Sequence, residues 1–419
     1  MNRVNYFWSR ILWKGGRGYL LAVWLLAAWG VHAQRVTISG TVIDRETREP
    51  LPFASIGIKG KSNGTITNLQ GEFDFHLPAG FTEDVFVVNT LGYKSYEAVV
   101  SSMLQQKNVV IELEKSTIML QEIWVSDTLN GGDILHIALS RIPENYPSSA
   151  FLLDGFYRDL KKISGTYVSL LEAAVKIYDE NYDAPRNKNK LRERVALQEV
   201  RRSLGYGSKF TTYFDEDNLL ENLLLDNDIR YRNFPTEEIF FNSLKREHDS
   251  FYNGHEIFVV TLTGNYHLKV FVDKENYGIV HVEYENNLVS EQGKKRGLVS
   301  RFEHVKRIID FKPFQGKLYL NYIQSEQKLN WYDVKTGELK FETELSQQLL
   351  INQVYPRTTE RIGTTERMRS YGLQYQDLPY NREFWENYNV IKESPLDRKI
   401  IEDLEKSGPL DKQFENKRP

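Results

Sequence analysis

The sequence predicts a mainly β protein: a small antiparallel β-sandwich followed by an α+β domain on a curved antiparallel sheet. Three observations carry this expectation. Aromatics make up 13% of the chain, with 24 Tyr and 22 Phe, a usage that favours strands over helical bundles. From Val36 onward, short stretches alternate apolar and polar residues on a period of two. Helical patterning is confined to a few short segments between strand-rich blocks. A length of 419 residues allows two domains with sizeable cores.

The first residues differ from the rest. Arg3, Arg10, Lys14 and Arg17 precede the apolar run Tyr19 to Val31, and Val31 and Ala33 place small residues ahead of Gln34. This order predicts a cleaved secretory signal over residues 1–33. The apolar run spans 13 residues, short of the roughly 20 that a membrane-crossing helix needs. No Cys follows it, so no lipoprotein anchor is expected; the mature chain then starts near Gln34, exported to the periplasm or the outer-membrane periphery and not integral to a membrane. Losing four basic residues and no acids moves the formal net charge from -3 to -7, which argues against a nucleic-acid partner. With zero Cys the fold must stand on packing alone.

The predicted sandwich spans residues 34–115. Val36, Ile38 and Val42 face opposite to Thr37, Ser39 and Thr41, and the stretch from Asp44 to Pro52 supplies charge and two prolines for a turn. Ala54, Ile56 and Ile58 form a second inward row, broken by Gly60 to Gly64. Phe73, Phe75 and Leu77 alternate with Glu72, Asp74 and His76. Val85 to Thr90 reads as a short apolar strand, Leu91 to Tyr96 as a turn, and Val109, Ile111 and Leu113 close the set. Strands at this density with no helix between them make a small sandwich.

The stretch SGTVIDRETREPLPFASIGIKGKSNGTITNLQGEFDFHLP, followed by VNTLGYKS, resembles the carboxypeptidase-D regulatory-like domain, a transthyretin-like β-sandwich. Gly64 and Gly71 sit where its turns would need positive φ, Pro52 fixes the chain ahead of a strand, and Phe73 fills the core. In Gram-negative bacteria this domain also opens many TonB-dependent receptors and other envelope proteins. The resemblance implies a scaffold or adaptor, since the domain brings no catalytic residues.

Residues 116–130 read as a linker strand leaving the sandwich. The ladder of alternating strands that a membrane barrel needs does not follow. Residues 131–356 form the expected α+β domain. Its helix is capped by Asp133, carries Ile134, Ile137, Ala138 and Leu139 on one side and is ended by Pro143. Two long strands then meet at Lys162 to Thr166, and residues 185–209 are a polar, basic loop. Asp215 to Ile229 can form one amphipathic helix. From Gly254 three strands are joined by turns at Thr263 and at Asp273 to Gly278, with a further set around Lys335 to Gly337. The tail, residues 357–419, holds a short helix near Pro395 to Lys406 and is otherwise extended or loosely packed. This region and the segment FWENYNVIKESPLD also resemble a group of exported bacterial proteins that share the regulatory-like domain; no activity is implied.

No motif for chemistry survives inspection, so no catalytic, cofactor-binding or metal-binding residue is assigned. No His has Glu three residues on, as carboxypeptidase zinc sites require, and no H-E-x-x-H occurs. His255 with Glu256 and His281 with Glu283 come nearest; solvent-facing pairs on strands account for them. Gly60 to Ser62 lacks the upstream Gly of a phosphate loop, and Ser325 to Lys328 matches S-x-x-K inside a strand, where that chemistry needs a helix start. Asp215 to Asn218 and Asp226 to Asp228 lack the Gly and Glu of a calcium loop and suit helix capping. The basic run Arg186, Lys188, Lys190, Arg192, Arg194, Arg201 and Arg202 could meet anionic lipid headgroups; a solvated loop is the simpler account.

The aromatics Tyr319, Tyr322, Trp331, Tyr332, Phe258, Phe271 and Tyr284 are expected in the core. The alternative is an open groove on the concave face, similar to periplasmic lipoprotein-carrier half-barrels. Two functions follow: a non-enzymatic cell-envelope binding or adaptor protein with an envelope protein or surface component as partner, or a carrier or sensor of a lipid-like ligand.

Overall fold

The computed structural model describes residues 35–116, 129–207, 212–214, 218–264, 266–368, 372–376, 378–392 and 397–415. The proposed signal, most of the linker strand and Asp215 to Asp217 lie outside them.

The sandwich has seven strands: β1 (Arg35–Asp44), β2 (Ser55–Ile58), β3 (Gly64–Ile66), β4 (Glu72–Pro78), β5 (Val85–Asn89), β6 (Tyr96–Val99) and β7 (Val109–Leu113). They form sheets of order β4-β1-β7 and β3-β2-β5-β6. Alternation does what it predicts: Ile38, Val42, Ile56, Ile58, Phe73, Phe75, Leu77, Ile111 and Leu113 bury together in one core. Three details differ from the expectation. β7 runs parallel to β1, not antiparallel, with Val42 opposite Ile111. β6 and a one-turn helix α1 (Val100–Met103) occupy a stretch with no predicted element. Gly71 does adopt positive φ, at +72°, but Gly64 lies in β3, where a Cβ would meet the Ile56 carbonyl oxygen at 2.9 Å.

The second domain opens with α2 (Gly131–Ser140) and α3 (Ile142–Asn145). Asn130, not Asp133, caps α2: the two side chains form a reciprocal capping box, with Asp133 at the third helical position. Pro143 starts α3 rather than ending α2. Gly132 is required by close packing, since a Cβ there would lie 2.4 Å from the Phe241 carbonyl oxygen.

The remaining strands build one curved, unclosed antiparallel sheet of twelve. They are β8 (Phe151–Ile163), β9 (Thr166–Asp179), β10 (Arg194–Arg202), β11 (Lys245–Arg246), β12 (Ser250–Tyr252), β13 (His255–Thr263), β14 (Tyr266–Asp273), β15 (Ile279–Asn286), β16 (Ser290–Lys295), β17 (Leu298–Phe314), β18 (Lys317–Asp333) and β19 (Leu339–Tyr355). The order is β10-β9-β8-β19-β18-β17-β15-β14-β13-β11, with β12 on β13 and β16 on β17. The basic stretch expected as a loop contains β10, which forms one edge of the sheet.

One face of the sheet buries the main core against α2 and the helices α4 (Leu219–Leu225), α5 (Asp228–Tyr231) and α6 (Glu238–Ser243). The helix expected from Asp215 to Ile229 is broken at Asp226, because the Asn227 side chain caps α5 by accepting from the Arg230 amide. The opposite face carries the sandwich and the tail helices α7 (Arg382–Asn387), α8 (Asp397–Leu404) and α9 (Leu410–Glu415). Residues 380–391 are not loosely packed: Trp385, Tyr388 and Ile391 bury against Phe156, Tyr322 and Leu350 of the sheet and Ile66 of the sandwich.

Candidate functional site

The site is the junction where sandwich, sheet and tail meet. β17 alternates Ile308, Asp310 and Lys312 toward the sandwich, with Ile309 and Phe311 in the core on the other side. The Lys312 ammonium donates to the Ser62 carbonyl oxygen at 3.0 Å and to the Ile351 carbonyl oxygen at 3.2 Å. Ser62 belongs to the turn between β2 and β3, so one side chain stitches sandwich to sheet. Burial pushes the Lys312 ammonium down to about 8, against the pull of Asp310.

Beside it, Asn321 donates to Asp310 at 2.8 Å, and the His281 imidazole sits between Asp310 at 3.2 Å and Glu283 at 3.4 Å. Burial works to lower the His281 pKa, but hydrogen bonds to the two carboxylates outweigh it and lift it to about 9. The strand placement expected for His281 and Glu283 therefore holds, but both are half-buried in a charge network.

The tail straps the two units together. Asn389 makes a two-way bond with the His76 backbone, accepting at 2.8 Å and donating at 3.1 Å, and its own carbonyl accepts from Asn352 of β19 at 2.8 Å. Lys392 reaches Asp74 of β4 at 3.0 Å. Arg158, buried on β8, pairs with Glu172 at 2.6 Å and donates to the Ile391 carbonyl oxygen at 3.1 Å. Glu172 also receives Arg201 at 2.5 Å, and these two guanidinium groups hold its carboxylate ionised despite full burial.

Between the strap, the sandwich and the sheet lies a cleft of about 660 Å³. Its floor is a three-by-three grid set by strand register. Arg158, Leu160 and Lys162 of β8 stand opposite Gln348, Ser346 and Glu344 of β19. These stand opposite Gln324, Glu326 and Lys328 of β18. Phe53, Asn68 and Leu69 of the sandwich form one wall, and Ile391, Lys392, Lys399 and Ile400 of the tail the other. Phe53 holds φ at +57°, costly for a bulky side chain, and stacks on Tyr322 with ring centroids 5.4 Å apart. Leu69 is 51% exposed over the cleft.

The other residues weighed from sequence fall into structural roles. His255 pairs with Asp273 at 2.8 Å. Gly60 to Ser62 is a strand-connecting turn, and Ser325 to Lys328 lies within β18. Asn218 and Asn227 cap α4 and α5, while Asp226 and Asp228 pair with Arg307. Within the basic run, Arg201 pairs with Glu172, and Lys188, Arg194 and Arg202 donate to backbone carbonyls. Of the seven aromatics, Phe258, Phe271, Tyr319 and Trp331 are buried, Tyr322 is buried in the junction, and Tyr284 and Tyr332 are half-buried; those five line no open groove. Sequence reading missed Lys312, Arg158 and the grid. Alternation along β8, β18 and β19 does place the grid rows on one face, but only the fold reveals that a second domain roofs them.

Residues 38–125 match the model of the CarboxypepD_reg-like domain. The TonB-dependent receptor SusC of Bacteroides thetaiotaomicron is 37% identical over 125 residues, which is 30% of this chain and 11% of the receptor. Among solved structures, lipovitellin is 12% identical with a TM-score of 0.24, covering 55% of this chain and 28% of that one. The MucA/MucB complex of Pseudomonas aeruginosa is 9% identical with a TM-score of 0.18, covering 55% of this chain and 99% of that one. At these scores neither likeness bears on the fold or the site. Residues 38–125 are a CarboxypepD_reg-like domain, carried in this chain ahead of a large curved antiparallel sheet.

Proposed function

We propose that this protein is a non-enzymatic adaptor of the cell envelope, in which the sandwich and sheet act as one rigid body that binds an envelope protein. The observation that carries the reading is the three-way lock at the junction: Lys312 on Ser62, Asn389 on His76, and the shared cluster of Ile66, Tyr322 and Trp385. A binding module gains affinity when its parts are ordered before the partner arrives. The match to the receptor SusC supports an envelope setting. No helix among the described residues is long and apolar enough to cross a membrane.

The carrier reading lacks such support, because the aromatics that would line its groove are packed into the core or half-buried. β6 forms the outer edge of the four-stranded sheet, at the far side from β3, and Val99 on it is 42% exposed. An edge with no further strand beside it among the described residues can accept a partner strand. With a photoreactive residue at Val99, illumination of intact cells should yield one or a few discrete adducts with envelope proteins. A ladder of unspecific adducts, or none from this position and from others across the sandwich, would contradict the adaptor.

A further inference from the structure

The geometry points to the junction cleft as the docking site for an extended acidic peptide segment of a partner protein. This rests on the adaptor reading and adds where and what it binds. The cleft, at about 660 Å³, falls within the range of sites that enclose most of a sizeable ligand, and it lies at a domain boundary, where such sites concentrate.

Charge selects the sign of the ligand. Arg158, Lys162, Lys328, Lys392 and Lys399 line the cleft against two acids, Glu326 and Glu344, in a chain whose overall charge is -3. The lysines stand on opposite sides, Lys162 and Lys328 on the floor and Lys392 and Lys399 on the tail. Each pairs with one carboxylate: Lys162 with Glu344 at 2.7 Å, Lys328 with Glu342 at 3.0 Å, Lys392 with Asp74 at 3.0 Å and Lys399 with Asp403 at 3.0 Å, Lys399 also donating to the Gly165 carbonyl oxygen at 2.6 Å. The four ammonium-bearing side chains keep 25–58% of their surface exposed, so an incoming carboxylate can compete for them.

The floor offers a peptide polar partners between apolar walls. Gln324, Gln348, Glu326 and Ser346 present amide, carboxylate and hydroxyl groups at the centre of the cleft. Gln324 donates to Glu326 at 2.6 Å, and the donor and acceptor capacity these side chains keep beyond that bond can pair with peptide N–H and C=O groups. Phe53, Leu69 and Ile400 at the sides then receive apolar side chains, and Leu69 already stands exposed there. The resulting recognition pattern is an alternation of acidic and apolar residues.

The test uses the protein from Gln34 onward and a fluorescein-labelled peptide of alternating Glu and Leu, followed by anisotropy. Binding should weaken as salt rises. The double variant Lys328→Glu with Lys399→Glu should bind at least about tenfold more weakly. The control Lys294→Glu with Lys335→Glu makes the same change in net charge at exposed positions away from the cleft, one on β16 and one in a turn, and should bind like the parent. Thermal melting confirms that both variants fold. No binding, equal weakening by both variants, equal binding of a Lys and Leu peptide, or saturation of the cleft by dodecanoate with the peptide unable to compete would each overturn the proposal. Val99 adducts that persist in the Lys328→Glu, Lys399→Glu protein would overturn the cleft as the docking site while leaving the adaptor reading in place.

Discussion

Lys312 of β17 donates to the carbonyl oxygen of Ser62, 250 residues earlier in the chain, across 3.0 Å. The same ammonium also holds the Ile351 carbonyl of β19, so one side chain bonds the sandwich turn and the sheet together. Replacing it by Met keeps the stem and removes both bonds. Lys312→Met should cost about 2–3 kcal/mol in urea unfolding, since two enclosed carbonyls lose a charged donor.

The same variant has a pH signature. The Lys312 pKa falls from 10.5 to about 8 on folding, so the pH-dependent part of its contribution, which adds to the two hydrogen bonds, is fully present above 10.5 and is lost as pH falls through 8. The stability gap between parent and Lys312→Met should therefore widen as pH rises from 8 to 10.5. A gap independent of pH across that window would show that the ammonium is not enclosed.

His281 works with the opposite sign. Its pKa rises from 6.5 to about 9 on folding, so its stabilisation is complete below 6.5 and is lost as pH rises through 9. His281→Gln should destabilise by about 2 kcal/mol at mildly acid pH and by little above pH 9, read from urea titrations in parallel.

In the main core, Arg230 is wholly buried and paired with Asp179 at 2.6 Å. Removing the acid strands the guanidinium. Asp179→Asn should cost about 3–5 kcal/mol, whereas an exposed pair such as Arg361 with Glu180 should lose less than about 1 kcal/mol on the same treatment.

Much of this architecture was legible from alternation. β1, β4 and β7 each bury the predicted row, and β13 to β15 fall between the predicted turns. β17 was not legible, because the bulge at Phe302/His304 inserts Glu303 and shifts the period of two partway along its 17 residues. β10 reads as a polar loop because it is an edge strand whose Arg201 satisfies a buried acid on the next strand, a partner that sequence spacing does not reveal. The tail was underestimated for a related reason. Trp385, Tyr388 and Ile391 carry too short an apolar pattern to announce a core, and they become one only where Phe156 and Tyr322 meet them.

That strap has its own test. Trp385 stacks edge-on against Phe156 and lies under Arg201, 4.4 Å from its ring. Trp385→Ala should cost about 3–5 kcal/mol and open the junction to limited proteolysis ahead of the strands on either side.

The central claim is that sandwich and sheet move as one body. The chain has no Cys, so Lys107→Cys on the sandwich and Glu238→Cys on α6 supply two unique spin-label sites, both exposed. Pulsed dipolar spectroscopy on the doubly labelled protein should give a single narrow distance distribution that broadens when Lys312→Met and Trp385→Ala are added. A broad or two-peaked distribution in the parent would contradict the account.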